Sequence, residues 1–398
     1  MSATVGAILV LLVLVLIIMH PLQAFQAALS GLEAWWKIVV PALLPFFILS
    51  QLLMGLGIVH FLGVFLEPFM RPLFNVPGSA AFVVLMGYTS GAPLSAHLTA
   101  QLRSQGLLTA AEGERLICFT NNASPLFMLG AVAVGMLHDP SLGPVIATAH
   151  YASNLILGFL FRFYRRGEAS APVADTPLPH LPRRAWQALL EAQRRDGRPL
   201  GQLLNDAVTR SFQVLLAVGG FIVLFAVVIR LAHLTGVARW LEKGLLPFLR
   251  LLDLDTQSTS AVAAGVLEMT LGTKAAGELP LALSARLAVI SFILGWAGLS
   301  VHAQVAAMIS GTDLRLGPFI GARLLHGIFA SKLVLFFYGP AQPVVRLLQG
   351  PFPAAATGHA LWVYYAGFPL FTLLFFTSLT ALGLLFYTLL RRSKNYWS

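Results

Sequence analysis

Apolar runs long enough to cross a membrane alternate along this chain with apolar runs that are too short. A spanning helix needs about 20 apolar residues, at about 1.5 Å each, to cross about 30 Å of hydrocarbon. Segments 3–19, 38–59, 143–163, 211–232, 282–309, 317–338 and 361–390 read as spans. Ser79–Met86 and Pro93–Leu102 are half that length, joined by Gly87-Tyr88-Thr89-Ser90-Gly91-Ala92-Pro93. Two half-helices meeting at a Gly/Thr/Ser/Pro turn predict a re-entrant hairpin over about 78–102, tolerable only where its backbone faces buried protein or a wet cavity. The next span, Arg115–Leu137, is interrupted by Thr120-Asn121-Asn122-Ala123-Ser124-Pro125. Asparagine is a weak helix former and Pro125 removes an N–H, so a broken span is expected.

Between these lie interfacial pieces. Pro21–Lys37 carries Trp35 and Trp36, rings that suit a headgroup boundary. Phe61–Phe74, with Glu67 and Arg71, reads as an interfacial helix. Thr109-Ala110-Ala111-Glu112 has capping-box spacing. Nine arginines between Arg162 and Arg210 crowd a Pro/Ala-rich loop with no spanning run, which the positive-inside rule makes cytoplasmic.

The two sides of that loop repeat in order. Phe65-Leu66-Glu67-Pro68-Phe69-Met70-Arg71-Pro72-Leu73 aligns with Gly244-Leu245-Leu246-Pro247-Phe248-Leu249-Arg250-Leu251-Leu252. Each is followed by a short apolar helix with a Thr/Gly interruption, at Thr89-Ser90-Gly91 and at Thr270-Leu271-Gly272-Thr273, then by a polar break, at Asn121–Pro125 and at Gly298–His302. The divisions are a first repeat 1–163, a loop 164–208, a second repeat 209–338 and a C-terminal part 339–398. Counting spans outward from the loop puts the hairpins in opposite leaflets and both chain ends in the cytoplasm, with about twice as many Lys/Arg on that side. The expected fold class is an all-α polytopic membrane protein: an inverted-repeat secondary transporter with two re-entrant hairpins and two broken transmembrane helices.

Composition narrows the function classes. The chain is 57% hydrophobic and 11% charged, which excludes a water-soluble globule. Its net charge of +10 is an orientation signal, since no basic run is interleaved with aromatics as in a nucleic-acid surface. Cys118 is the single cysteine, so there is no disulfide framework and no thiolate metal cluster. The absence of a phosphate loop, His-Glu-x-x-His and Gly-x-Ser-x-Gly leaves ATP hydrolysis and the familiar hydrolases without support, and no enzyme activity is expected.

Helix tips at mid-membrane present N–H groups and the positive end of a dipole, which suits a carboxylate. The candidate substrate-binding residues are Thr89, Ser90 and Gly91 at the first tip, with Asn121, Asn122 and Ser124 at the first broken span. In the second half they are Thr270, Gly272, Thr273 and Lys274 at the tip, with Ser300, His302 and Gln304 at the break. The plainer alternative is that Gly and Thr merely permit close helix packing. A charge at membrane depth is costly, so Lys274 either meets an anionic solute, pairs with Glu268, or snorkels to the interface. Glu268 in turn is a candidate for binding a coupling Na+ or H+ or for neutralising Lys274. His97, His150 and His326 read as packing residues, Arg323 as reaching the headgroups, and Arg71 and Arg250 as interface anchors.

Residues 68–78, 86–93, 119–127, 268–272 and 295–304 together resemble the YlbJ (SpoVV) family of sporulation integral membrane proteins. The resemblance runs from about Trp36 to Tyr338. It implies a nucleoside-recognition gate domain, similar to the hairpin-bearing core of concentrative nucleoside transporters. It also implies a carrier in the outer forespore membrane moving dipicolinic acid toward the spore. The expected partners are a small anionic solute and the lipid bilayer, a homo-oligomer being compatible with both, and no cofactor beyond a coupling ion. A sodium- or proton-coupled nucleoside carrier and a non-transporting scaffold for spore assembly are the alternatives.

Overall fold

The computed structural model describes residues 3–168 and 180–339. Residues 169–179 of the Arg-rich segment, the expected span 361–390 and the basic tail lie outside the described residues. Sixteen α-helices and no strand occur among the described residues. Leu142–Phe161, Leu200–Leu234, Leu283–Ile309 (two consecutive helices) and Leu316–Tyr338 are long and apolar enough to span a membrane, giving up to six spans if two bent pairs each count as one.

The chain begins with α1 (Ala3–Met19), which meets α2 (Pro21–Ala34) at a bend of 107°. The break expected between an interfacial piece and a span near Lys37 is absent. Helix continues from Pro21 through a π-helical turn, Trp35–Val39, into α3 (Val40–Gly55). The π turn sits where Pro41 would press against the carbonyl four residues earlier, and the wider turn makes room. Trp35 is not a free headgroup ring, because its indole N–H donates to the Leu215 carbonyl at 2.9 Å. Gly57, at φ +79°, turns the chain by 81° into α4 (Ile58–Phe74).

Next come α5 (Ala80–Ser90), α6 (Leu94–Ser104) and α7 (Ala110–Thr120), then a π-helical segment, Leu126–Met136, and α8 (Leu142–Phe161). The Arg-rich stretch is less of a loop than its composition implies. It holds an amphipathic helix, α9 (Leu181–Asp196), packed against α4, with the Gln193 side chain donating to the Leu56 carbonyl at 3.0 Å. The span expected at 211–232 lies within α10 (Leu200–Leu234), a 35-residue helix about 52 Å long. The second half follows as α11 (Val237–Leu251), α12 (Thr259–Leu267), α13 (Met269–Gly277), α14 (Leu283–Trp296), α15 (Gly298–Ile309) and α16 (Leu316–Tyr338). The order after α10 parallels the order α4 to α8, with α8 and α16 as counterparts packed on each other.

One end of the bundle is tied by charge. The predicted capping box is present at Thr109 and Glu112, and the buried Glu112 carboxylate also bonds Arg71, which holds Glu67 at 2.7 Å. Arg71 therefore joins α4 to α7, whereas Arg250, aligned with it in the sequence comparison of the two halves, is exposed. Buried Arg115 donates to the carbonyls of Asn75, Tyr164 and Arg165 at 2.7–2.9 Å, filling acceptors at the ends of α4 and α8. Glu114 accepts from Arg315, Arg165 and the Tyr164 hydroxyl.

Burial alone would raise the Glu114 carboxyl, but bonds from Arg315, Tyr164 and Arg165 outweigh it and hold the group below the usual carboxylate range. A lowered carboxyl contributes stability that is complete above its unfolded pKa of about 4 and is lost as pH falls through the folded value. Melting temperature in detergent should therefore drop as pH is lowered past about 4. Glu114→Gln should melt lower at pH 7 and respond less to acid, read by thermal unfolding across a pH series.

Candidate functional site

Two helix breaks touch in the first half. The chain leaves α5 through Gly91, at φ +82°, and enters α6 after a cis Ala92–Pro93 bond. A Cβ on Gly91 would lie 2.8 Å from the Asn122 carbonyl oxygen and 3.0 Å from the Ser124 nitrogen, so glycine allows both the backbone angle and the approach. The Ala92 N–H donates to that Asn122 carbonyl at 2.9 Å. Four residues, Asn121–Ser124, separate α7 from Pro125 without helix, and all but Ser124 are buried.

The second half repeats this contact at different residues. The break between α12 and α13 falls at Glu268, not at the expected Thr270–Thr273, and the Glu268 carboxylate caps α13 by accepting the Leu271 N–H at 2.8 Å. The break between α14 and α15 falls at Ala297 and Gly298, both at positive φ, meeting the expected Gly298–His302 at its first residue. A Cβ on Gly298 would lie 2.9 Å from the Met269 nitrogen and 3.1 Å from the Glu268 Cα. Each hairpin break is thus pressed against the break of a neighbouring helix.

The predicted residues distribute unevenly around these contacts. Thr89 and Ser90 are at the first break, but their hydroxyls donate back to the Leu85 and Met86 carbonyls of their own helix. The Ser124 hydroxyl accepts the Phe127 N–H at 3.2 Å. Gly272 serves the plainer role of close packing, since a Cβ there would stand 2.2 Å from the Gly265 Cα. Thr273 is buried, while Thr270, two residues past the break at Glu268, and Lys274 are exposed on α13. Ser300, His302 and Gln304 are buried on the opening turns of α15. The His302 ring packs on Trp296 at 4.3 Å, and its Nδ1–H donates to the Gly298 carbonyl at 2.8 Å.

Arg323 was expected at the headgroups and is instead fully buried, reaching from α16 into the break of α7. Its guanidinium donates to the Cys118 and Asn121 carbonyls and, at 2.9 Å each, to Asn154 Oδ1 and His326 Nδ1. Two carbonyls that the broken helix cannot pair internally are thereby satisfied, with the cation at the negative end of the α7 dipole. His150 and His326 lie beside it with ring centroids 4.4 Å apart.

The network fixes neutral tautomers for both rings. His326 Nδ1 accepts from Arg323, so its Nε2–H faces the His150 carbonyl at 2.9 Å. His150 Nε2 accepts the Ala123 N–H at 3.1 Å, so the proton sits on Nδ1. That Nδ1–H, the Asn154 Nδ2 amide and the Asn121 Oδ1 atom are buried with no partner among the described residues. Sequence reasoning placed Asn121 here but missed Arg323, His150, His326 and Asn154. The available signal was an Arg-x-x-His pair inside an apolar run, which puts both side chains on one helix face.

A family model described as nucleoside recognition (Gate) matches residues 36–140, which hold α3 to α7, the first pair of breaks and the π-helical segment. The chain is 47% identical over 329 residues to the sporulation integral membrane protein YlbJ of Bacillus subtilis (strain 168), covering 81% of this chain and 80% of that protein. The chain belongs to the YlbJ family. In this member of the family, the sequence matched by the gate model supplies α7 and its break. The Arg323 side chain that satisfies that break comes from beyond it.

Removing Arg323 should leave the Cys118 and Asn121 carbonyls and the Asn154 amide unpaired in the core. At about 1–3 kcal/mol for each buried orphan, Arg323→Met is expected to destabilise the protein by about 3 kcal/mol or more. Arg323→Lys keeps the charge but not the fork and should be intermediate, as measured by thermal unfolding in detergent.

Proposed function

We propose that this protein is a secondary carrier for a small carboxylate, dipicolinate being the leading candidate in view of the resemblance to the sporulation family. The observation that carries this reading is the contact between Gly91 and Asn122–Ser124. There, two interrupted helices place non-helical backbone in a buried, apolar part of the bundle. Such interruptions are tolerated at membrane depth where they are buried in protein or line a wet cavity, and carriers use them to build central sites. The parallel contact between Gly298 and Glu268–Met269 supports a second element of the same kind.

In this reading α5–α6 and α12–α13 are re-entrant hairpins entering from opposite leaflets, the halves are inverted, and the Arg-rich segment and both chain ends are cytoplasmic. The unpaired donors of His150 and Asn154 favour a solute rich in acceptor oxygens. Transport draws on an ion gradient, Na+ or H+, or on the solute's own gradient. The gate model, described as nucleoside recognition, favours a nucleoside as the second reading.

Purified protein in liposomes separates these readings. Wild type should accumulate labelled dipicolinate, and Asn121→Ala and Asn122→Ala should each lower uptake about tenfold, the effect of about 1.4 kcal/mol lost at the site. Lys274→Ala, exposed on α13, should leave uptake unchanged. Uptake of labelled nucleoside in place of dipicolinate would move the assignment to the second reading. Movement of neither solute would leave a scaffold.

A further inference from the structure

We propose that one face of α6 forms a polar conduit, leading a small carboxylate from the side bearing α9 to the break at Gly91–Pro93. The proposal rests on the carrier reading above and names the route to its site.

The mouth is an open crevice between α3, α6 and the junction of α9 and α10. It holds about 420 Å³ of empty space, part of it open solvent. Its rim carries Gln105, Asp196, Arg198, Asp206 and Arg210. Arg198 is occupied by both acids, bonding Asp196 and Asp206 at 2.7 Å. Arg210 forms no ion pair among the described residues, which leaves it as the cation a carboxylate meets at the rim.

The crevice reaches Gln51 and Gln101, and a stripe of polar side chains on α6 runs on from there. Gln105 stands just beyond the C-terminus of that helix, and Gln101 and His97 follow at intervals of four residues, so the three lie on one face. Gln105 is exposed and Gln101 and His97 are partly so, while their neighbours Leu94, Leu98 and Leu102 are wholly buried on the other faces. Across from this stripe, the buried Gln51 of α3 joins its members. Its Nε2 donates to Gln101 Oε1 at 3.2 Å and lies 3.3 Å from His97 Nε2. An amphipathic half-helix needs a reason to present amides and an imidazole inside a protein of mean hydropathy +0.79. A wetted path supplies one. From Gln105 to Pro93 the path is about 18 Å long, at about 1.5 Å per residue, and ends where Ala92 meets Asn122.

The test is thiol accessibility in sealed vesicles of either orientation, with a membrane-impermeant anionic methanethiosulfonate. Cys118 is first replaced (Cys118→Ala), which removes the single native thiol. Arg194→Cys on α9 reports which vesicles expose that side. In those vesicles Gln105→Cys, Gln101→Cys and His97→Cys should label at least tenfold faster than Leu98→Cys and Leu102→Cys, with dipicolinate slowing the reaction. Labelling of Gln101→Cys and His97→Cys no faster than the leucine positions, or only in the opposite orientation, would overturn the conduit. If His97→Cys does not fold, Gln101→Cys against Leu102→Cys carries the comparison. Labelling as expected in a protein that moves no solute would support the conduit and remove the carrier reading.

Discussion

A helix that stops inside an apolar bundle leaves carbonyls without donors, and hydrocarbon offers no water to replace them. Everything at the centre of this protein answers that deficit at α7. Arg323 is suited to it because a guanidinium carries five donors in a fixed plane and stays charged. Four of its bonds go to acceptors from α7, α8 and α16, so a single side chain closes the break and pins three helices around it. Arg115 does related work at the ends of α4 and α8, and Lys332 does so at Leu252, the C-cap of α11. Cations at helix C-termini thus recur in this fold, buried at α7 and at the ends of α4 and α8 and exposed at α11.

The first-half hairpin break and the second-half one resemble each other in contact but not in chemistry. The first is flanked by asparagines and served by an arginine from α16. The second is capped by Glu268, which lies in the break itself, and is backed by the Trp296–His302 stack. At the first, buried polar atoms lie without partners among the described residues, donors at His150 Nδ1 and Asn154 Nδ2 and an acceptor at Asn121 Oδ1. The halves share a backbone plan while differing in the polar groups set upon it.

Much of this plan was legible from residue order. Half-length apolar runs bounded by Gly and Pro announced α5 and α6, and Asn121 to Pro125 announced the end of α7, because backbone preferences there are local. The breaks in the second half were displaced by a few residues. Thr and Gly at 270–273 are as compatible with a tight helix contact as with a turn, and only the Gly265 approach decides between them. Lys274 was weighted for its charge, yet its exposure follows from which face of α13 packs on α12, which no local pattern records. Arg323 was misplaced for the converse reason. The length of its side chain permits snorkelling, and the acceptors that hold it inside lie about 200 residues earlier in the chain.

That separation along the chain has a bearing on biosynthesis. The acceptors at Cys118 and Asn121 leave the ribosome long before α16 does. Until α16 is inserted, the interruption in α7 must be hydrated or otherwise occupied. The central packing of the first half is therefore finished only after most of the polypeptide has entered the bilayer, and the two halves mature as one unit.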